Sequence, residues 1–138
     1  MGLLSKLKEF LVGKDIETIV EFEAELGKLI TDYGLSNAAI IGIGGRLKGL
    51  PLIYSSEDEG MLKNLTAKIP EVIGPLDSLE PSKAFERTII KYRGSFLVLI
   101  KLTENIAFVG ISEKKISVED SVKWIKSKED LIHKLFER

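Results

Sequence analysis

Apolar side chains in this chain follow a helical rhythm at the start, an extended rhythm from about residue 37, and then alternate between the two to the end. From Leu3 to Leu11, the residues Leu3, Leu4, Leu7, Phe10 and Leu11 share one helical stripe, while Ser5, Lys6, Lys8 and Glu9 fall elsewhere. Gly13 is placed to stop this segment. Asp15 is placed to cap a second helix, in which Ile16, Ile19, Val20, Leu26, Leu29, Ile30 and Tyr33 recur at three- and four-residue steps up to Gly34. Ala38, Ala39, Ile40, Ile41 and Ile43 then form a run apolar on both faces, which predicts a covered strand closed by Gly44 and Gly45. A turn over Arg46-Leu47-Lys48-Gly49 leads into Leu50 to Tyr54, and Pro51 marks that second strand as a sheet edge because proline cannot donate to a ladder. The two strands read as a hairpin.

Ser56 with Glu59 three residues on is a capping box, and Glu57, Asp58 and Glu59 place negative charge where a helix start is positive. The helix stripe that follows is Leu62, Leu65, Ile69, Val72, Ile73 and Leu76. Pro70 predicts a kink or break, and Gly74-Pro75 and Glu80-Pro81 predict a loop. Three strands come next, Ala84 to Arg93, Ser95 to Lys101 and Ile106 to Ser112, with joints so short that they must form an antiparallel meander. The last two are apolar on both faces. The first sets Phe85, Arg87, Ile89 and Lys91 against Glu86, Thr88, Ile90 and Tyr92, the pattern of a half-covered edge. Ser117 is placed to cap a closing helix and Ser127 to recap it, which leaves one helix or two open at the C-terminus.

Strands buried on both faces belong in the middle of a sheet, and strands with Pro or charge belong outside. A hairpin joined to a meander satisfies this when the first strand lies beside the fifth. The expected fold is α+β: a five-stranded antiparallel sheet in the order 2-1-5-4-3 with helices on both faces. Residues 1–14 form an amphipathic N-terminal extension and residues 15–138 the domain.

Composition narrows the chemistry. The 138 residues, 44% hydrophobic and 30% charged, suit a single globular domain able to bury a core without staples. With no Cys and one His, His133, there are no thiolate sites, disulfides or His-based metal clusters to consider, and no cofactor is expected. Twenty basic residues against twenty-one acidic ones give no overall field for nucleic acid, so no nucleic-acid partner is expected. The longest uninterrupted apolar run, Phe96 to Ile100, is too short to span a bilayer. Nothing marks the chain for export, and a cytoplasmic location is expected. The absence of Gln and the abundance of Lys, Glu and Ile match the bias of proteins from hot-living organisms.

The segments "AAIIGI", "KGLPLIYSS", the acidic helix start, "RTIIKYRGSFLVLIKL" and "NIAFVGIS", in this order of elements, resemble the Roadblock/dynein light chain (Roadblock/LC7) family over roughly residues 15 to 126. The most specific piece is Gly49 followed by Leu50-Pro51-Leu52; Lys48 stands where the family usually carries Asp, and residues 1–14 are an addition to the minimal domain. The resemblance implies a profilin-like α/β sandwich and a non-enzymatic, homodimeric scaffold or regulator for small Ras-like GTPases or larger complexes. It further implies a two-fold interface built from the third-strand edge and the helix after the hairpin. By position, that interface takes Leu62, Leu65 and Ile69 on the helix with Phe85, Arg87 and Ile89 on the strand. A long unpaired strand edge independently calls for a partner to satisfy its backbone.

Competing readings of the same residues are weaker or remain open. Gly42, Gly44, Gly45 and Gly49 invite a phosphate loop, but Leu47 stands where a third glycine is needed, and the turn opens into a strand rather than a helix. Turn glycines are the better reading. Glu21, Glu23 and Glu25 read as a solvated helix face, His133 as a terminal-helix residue and Trp124 as a packing residue. The basic stripe of Leu3, Leu4, Leu7, Phe10 and Leu11 with Lys6, Lys8 and Lys14 suits peripheral contact with an anionic membrane, a partner's groove, or its own dimer. An alternative function is a small-molecule sensor of the PAS or GAF type. A sensor needs a lined internal cavity, whereas strands this rich in Ile, Leu and Phe are expected to pack solid.

Overall fold

The computed structural model describes residues 13–80, 82–83, 85–113, 115–130 and 132, with only the course of the backbone at 13–18 and 115–118. Helix α1 (Gly13–Tyr33) leads into β1 (Leu35–Gly42), a 3-10 turn (Gly45–Leu47), β2 (Pro51–Ser56), α2 (Glu59–Leu79), β3 (Arg87–Tyr92), β4 (Ser95–Lys101), β5 (Ile106–Ser112) and α3 (Lys115–Ser127). The sheet runs β2-β1-β5-β4-β3 with every neighbour antiparallel, the order argued above from burial.

Strand alternation divides the core into two layers. On one face, Ala38 and Ile40 of β1, Val98 of β4 and Phe108 of β5 meet Ile19, Phe22, Leu26 and Leu29 of α1 and Ile125 of α3. The Phe22 and Trp124 rings join these two helices edge to face, with centroids 5.5 Å apart. On the other face, Ala39, Ile41, Leu97, Leu99 and Val109 meet Leu62, Ile69 and Ile73 of α2. Each fully buried Leu, Ile or Phe contributes about 1.5–3 kcal/mol of burial free energy, so both layers hold the sheet.

Several local expectations are corrected. Gly13 is already helical, so it is no stop, and Asp15 lies inside α1 rather than at its cap. A glycine in a helix costs only about 1 kcal/mol. The cap of α2 is Asp58, whose carboxylate accepts from the Met61 N–H at 3.0 Å. Ser56 instead closes β2, donating its hydroxyl to Asn37 Oδ1 and accepting from the Asp58 N–H. Neither Pro70 nor Pro75 ends α2, which continues to Leu79. Each proline removes one intrahelical donor, but Ile69 and Ile73, buried against the sheet on either side of Pro70, hold the helix in place. β3 is shorter than expected, because Phe85 is held before it by a 3.1 Å bond from its N–H to Asp77 Oδ1.

At the C-terminal end Ser117 lies within α3, and Ser127 ends it with its hydroxyl donating to the Trp124 carbonyl. Lys128 forms a tight turn onto Ile125, and helical backbone resumes at 129, so the segment is broken rather than continuous. Ile132 returns to the first core layer. His133 and the N-terminal stripe of Leu3, Leu4, Leu7, Phe10 and Leu11 lie outside the described residues.

The glycine cluster proves structural. A Cβ on Gly42 would sit 1.9 Å from the Leu47 carbonyl oxygen, and Gly49 holds φ at +82°, a left-handed value that favours glycine. The Gly42 and Gly49 backbones close the turn through Gly42 N–H to Leu50 O at 2.8 Å and Gly49 N–H to Gly42 O at 2.9 Å.

Candidate functional site

The two edges of the sheet differ in kind. β2 is blunted: Pro51 offers no N–H, and a bulge opposite Ile40 and Ile41 throws Leu52 out of register. β3 is regular throughout, pairing with β4 from Arg87↔Ile100 to Tyr92↔Ser95 without a shift. Its outer side is an unbroken row of backbone donors and acceptors about 20 Å long, with no strand beside it among the described residues.

Helix α2 carries two apolar seams. The inner one, Leu62, Thr66, Ile69 and Ile73, faces the sheet. The outer one steps through Met61, Leu65, Lys68, Val72, Pro75 and Leu79 at alternating intervals of four and three, the spacing of a helix that packs against another helix. Val72 is 41% exposed and Leu79 80%, so the described residues leave this seam uncovered.

A polar lock fixes these two surfaces relative to each other. The Asp77 carboxylate in the last turns of α2 accepts from the Phe85 N–H at 3.1 Å and from Lys101 Nζ at 2.7 Å, while the Lys101 N–H donates to the Glu86 carbonyl at 2.8 Å. Lys101 also lies 3.4 Å from Glu104. The Lys101 hydrogen bond, reinforced by the Phe85 amide, holds the Asp77 carboxyl below its ordinary range, and the same bond raises the Lys101 ammonium. Glu80 accepts from the Ser82 hydroxyl and N–H, which lowers its carboxyl in turn. The connection from α2 to β3 is thus tied at both ends.

The six residues placed at an interface by sequence do not form one surface. Leu62 and Ile69, 0% and 4% exposed, belong to the inner seam and the chain's own core. Leu65 and Phe85 are half-buried at the margin of the α2 layer. Arg87 and Ile89 are exposed, but they pair with Ile100 and Val98 and so project on the α1/α3 side of β3, away from α2. The α2 side of β3 is made by Thr88, Ile90 and Tyr92. The sequence stripe includes Leu65 and Val72 of the outer seam but not Met61 and Leu79. Their signal was the second heptad-like series running one residue ahead of the buried stripe.

Two clefts open at the surface. One, of about 260 Å³, opens beside α3 against Arg87, Ile100 and Leu102, and one of about 200 Å³ opens at Gly34 and Ser36. Among the described residues no group of His, Asp or Glu side chains could hold a metal ion, and no helix is long and apolar enough to cross a membrane.

No family model matches the sequence, and no curated protein matches it. Solved structures do match the fold. The chain is similar to Myxococcus xanthus MglB at a TM-score of 0.67 and 15% identity, over 87% of this chain and 93% of that one. It is similar to a structure described as MglB with tetrameric arrangement at 0.61 and 16%, over 80% and 86%. It is similar to a Roadblock/LC7 domain from Streptomyces avermitilis at 0.61 and 8%, over 78% and 93%. At these identities the likeness is one of fold, an α+β, profilin-like fold shared with the Roadblock/LC7 domain and MglB structures.

Proposed function

From a chain that folds as a Roadblock/LC7 domain, we propose a cytoplasmic, non-enzymatic regulatory or scaffold protein that works as a homodimer. Two copies join through the β3 edge and the outer seam of α2. The surface so formed receives a small Ras-like GTPase or a larger protein complex. One observation carries this reading: the regular, undefended edge of β3 is tied through Asp77 and Lys101 to a helix whose second apolar seam is uncovered. A two-fold partner would satisfy the edge amides and the seam together, as isologous interfaces do. The tetrameric arrangement described for one similar MglB is in keeping with self-association through this fold. The GTPase as partner rests on the family resemblance. The stripe of Leu3, Leu4, Leu7, Phe10 and Leu11 is assigned to packing on this dimer, with an anionic membrane as the competing target of its lysines.

Calorimetric titration of the intact protein with Ras-like GTPases of its source organism, loaded with GDP or a non-hydrolysable GTP analogue, tests the regulatory role. A saturable complex with at least one of them is the expected result. An intact dimer that binds none in either nucleotide state would overturn it.

A further inference from the structure

Every charged residue at an odd position from 83 to 93 is a cation: Lys83, Arg87, Lys91 and Arg93. Within β3 the odd residues share the face that carries α1 and α3. Arg87 pairs with Ile100 and lines the cleft beside α3, and Lys91 pairs with Phe96, its ammonium 4.8 Å above that ring. Ile89 lies between them, 44% exposed. Among the described residues this face of β3 is uncovered, because α1 lies over β1 and β2, and α3 over β5 and β4.

Pairing of two β3 strands about a two-fold axis, the reading on which this inference rests, sets residues of equal parity opposite each other. With the axis at Ile89, Arg87 faces the partner's Lys91; with the axis at Ile90, Ile89 faces the partner's Lys91. Neither register brings a carboxylate to these cations, and like charges directly opposite destabilise a sheet. The paired strands also form the floor of a trough whose walls are the two α3 helices. Each α3 sits over β4 and β5, so about four inter-strand spacings, roughly 19 Å, separate the two helix axes. Packed helices lie about 8–10 Å apart, so the gap admits one more helix.

We propose that this trough binds an acidic amphipathic helix of a partner protein. Its apolar positions would rest on Ile89, on Phe96 and in the cleft against Val122, while its carboxylates would neutralise Arg87, Lys91 and the wall residue Lys126. Glu86 and Glu129 line the cleft together with Arg87, Lys101 and Lys126, so cations outnumber carboxylates there. A flat lipid surface meets the α3 crests before it reaches the floor. The chain's own N-terminal stripe, with Lys6, Lys8 and Lys14 against Glu9, has the wrong charge to occupy it.

The test uses the full chain and three probes: a labelled 20-residue helical peptide of Leu and Glu in heptad spacing, the same peptide with Lys for Glu, and phosphatidylglycerol vesicles. Fluorescence anisotropy and light scattering are read on the wild type and on Lys91→Gln/Lys126→Gln. The expected result is a dimer that binds the Glu peptide, more weakly as salt rises, and does not bind the Lys peptide. The double variant remains dimeric and binds about tenfold more weakly, the effect of losing up to four exposed charge pairs per dimer. A dimer that ignores the Glu peptide, binds both peptides alike, binds only vesicles, or loses nothing in the variant would overturn the trough and leave the dimer standing. A monomeric wild type would instead overturn the pairing itself, and the trough with it.

Discussion

Lys101 Nζ lies 2.7 Å from Asp77 Oδ2, and that one contact joins the penultimate strand of the sheet to the helix on its far face. Lys101 is only 9% exposed at its side chain, so it leans on this carboxylate, the nearer of its two acidic partners, with Glu104 at 3.4 Å. The same carboxylate takes the Phe85 amide, which places the start of β3.

Asp77→Asn should therefore lower the urea midpoint of unfolding at neutral pH. Because the Asp77 carboxyl is held below its ordinary value of 3.8, its contribution is whole above that value and is lost as pH falls through the depressed one. Lys101 is raised above 10.5, so its contribution is whole below that value and is lost as pH rises through the raised one. The gap between wild type and variant should be flat between these limits and close at both ends. A gap that is constant from pH 2 to 7 would contradict the lock.

Gly42→Ala should destabilise the domain by about 1–3 kcal/mol, since the new methyl meets a backbone carbonyl that the β1–β2 turn cannot move freely. Thermal unfolding checks it. An unchanged midpoint would mean that the turn has more room than the 1.9 Å approach to Leu47 allows.

Asp58→Ala removes the cap of α2 and should cost about 1 kcal/mol in denaturant unfolding. The sequence points to Ser56 as the cap, so Ser56→Ala is the informative companion. It should act by freeing the buried Asn37 amide oxygen, not by fraying α2, and exchange of the Met61 amide separates the two effects.

Removal of residues 1–12 tests the N-terminal stripe. Packing on the dimer predicts a lower thermal midpoint for the truncated protein and no loss of vesicle binding, because the intact protein would have none to lose. Cosedimentation of the intact protein with anionic vesicles, abolished by the truncation, would place the stripe on membranes instead.

The sheet order was legible because covered strands such as Phe96 to Ile100 and Ile106 to Ile111 have no polar face to show to water, while Pro51 and Arg87 cannot sit in the middle. Those are one-residue facts that survive in any arrangement. The course of α2 was not legible. Pro70 and Pro75 read as breakers, and only the burial of Ile69 and Ile73 against a sheet assembled from distant segments outweighs them. The placement of residues on α2 met a related limit. A stripe of Leu and Ile on a helix does not say which of two adjacent seams faces home, and Leu62 and Ile69 proved to face home. The parity of β3 was read correctly, but which face meets α2 depends on the register with β4, which no local pattern encodes.

The most direct measurement is the solution mass of the wild type and of Val72→Asp/Leu79→Asp by light scattering. Both substituted side chains are exposed in the single chain, so the variant keeps its core. Pairing through the outer seam and the β3 edge predicts twice the 15.4 kDa chain mass for the wild type and the single mass for the variant. A wild type of single mass, or a variant that retains the double mass, would contradict it.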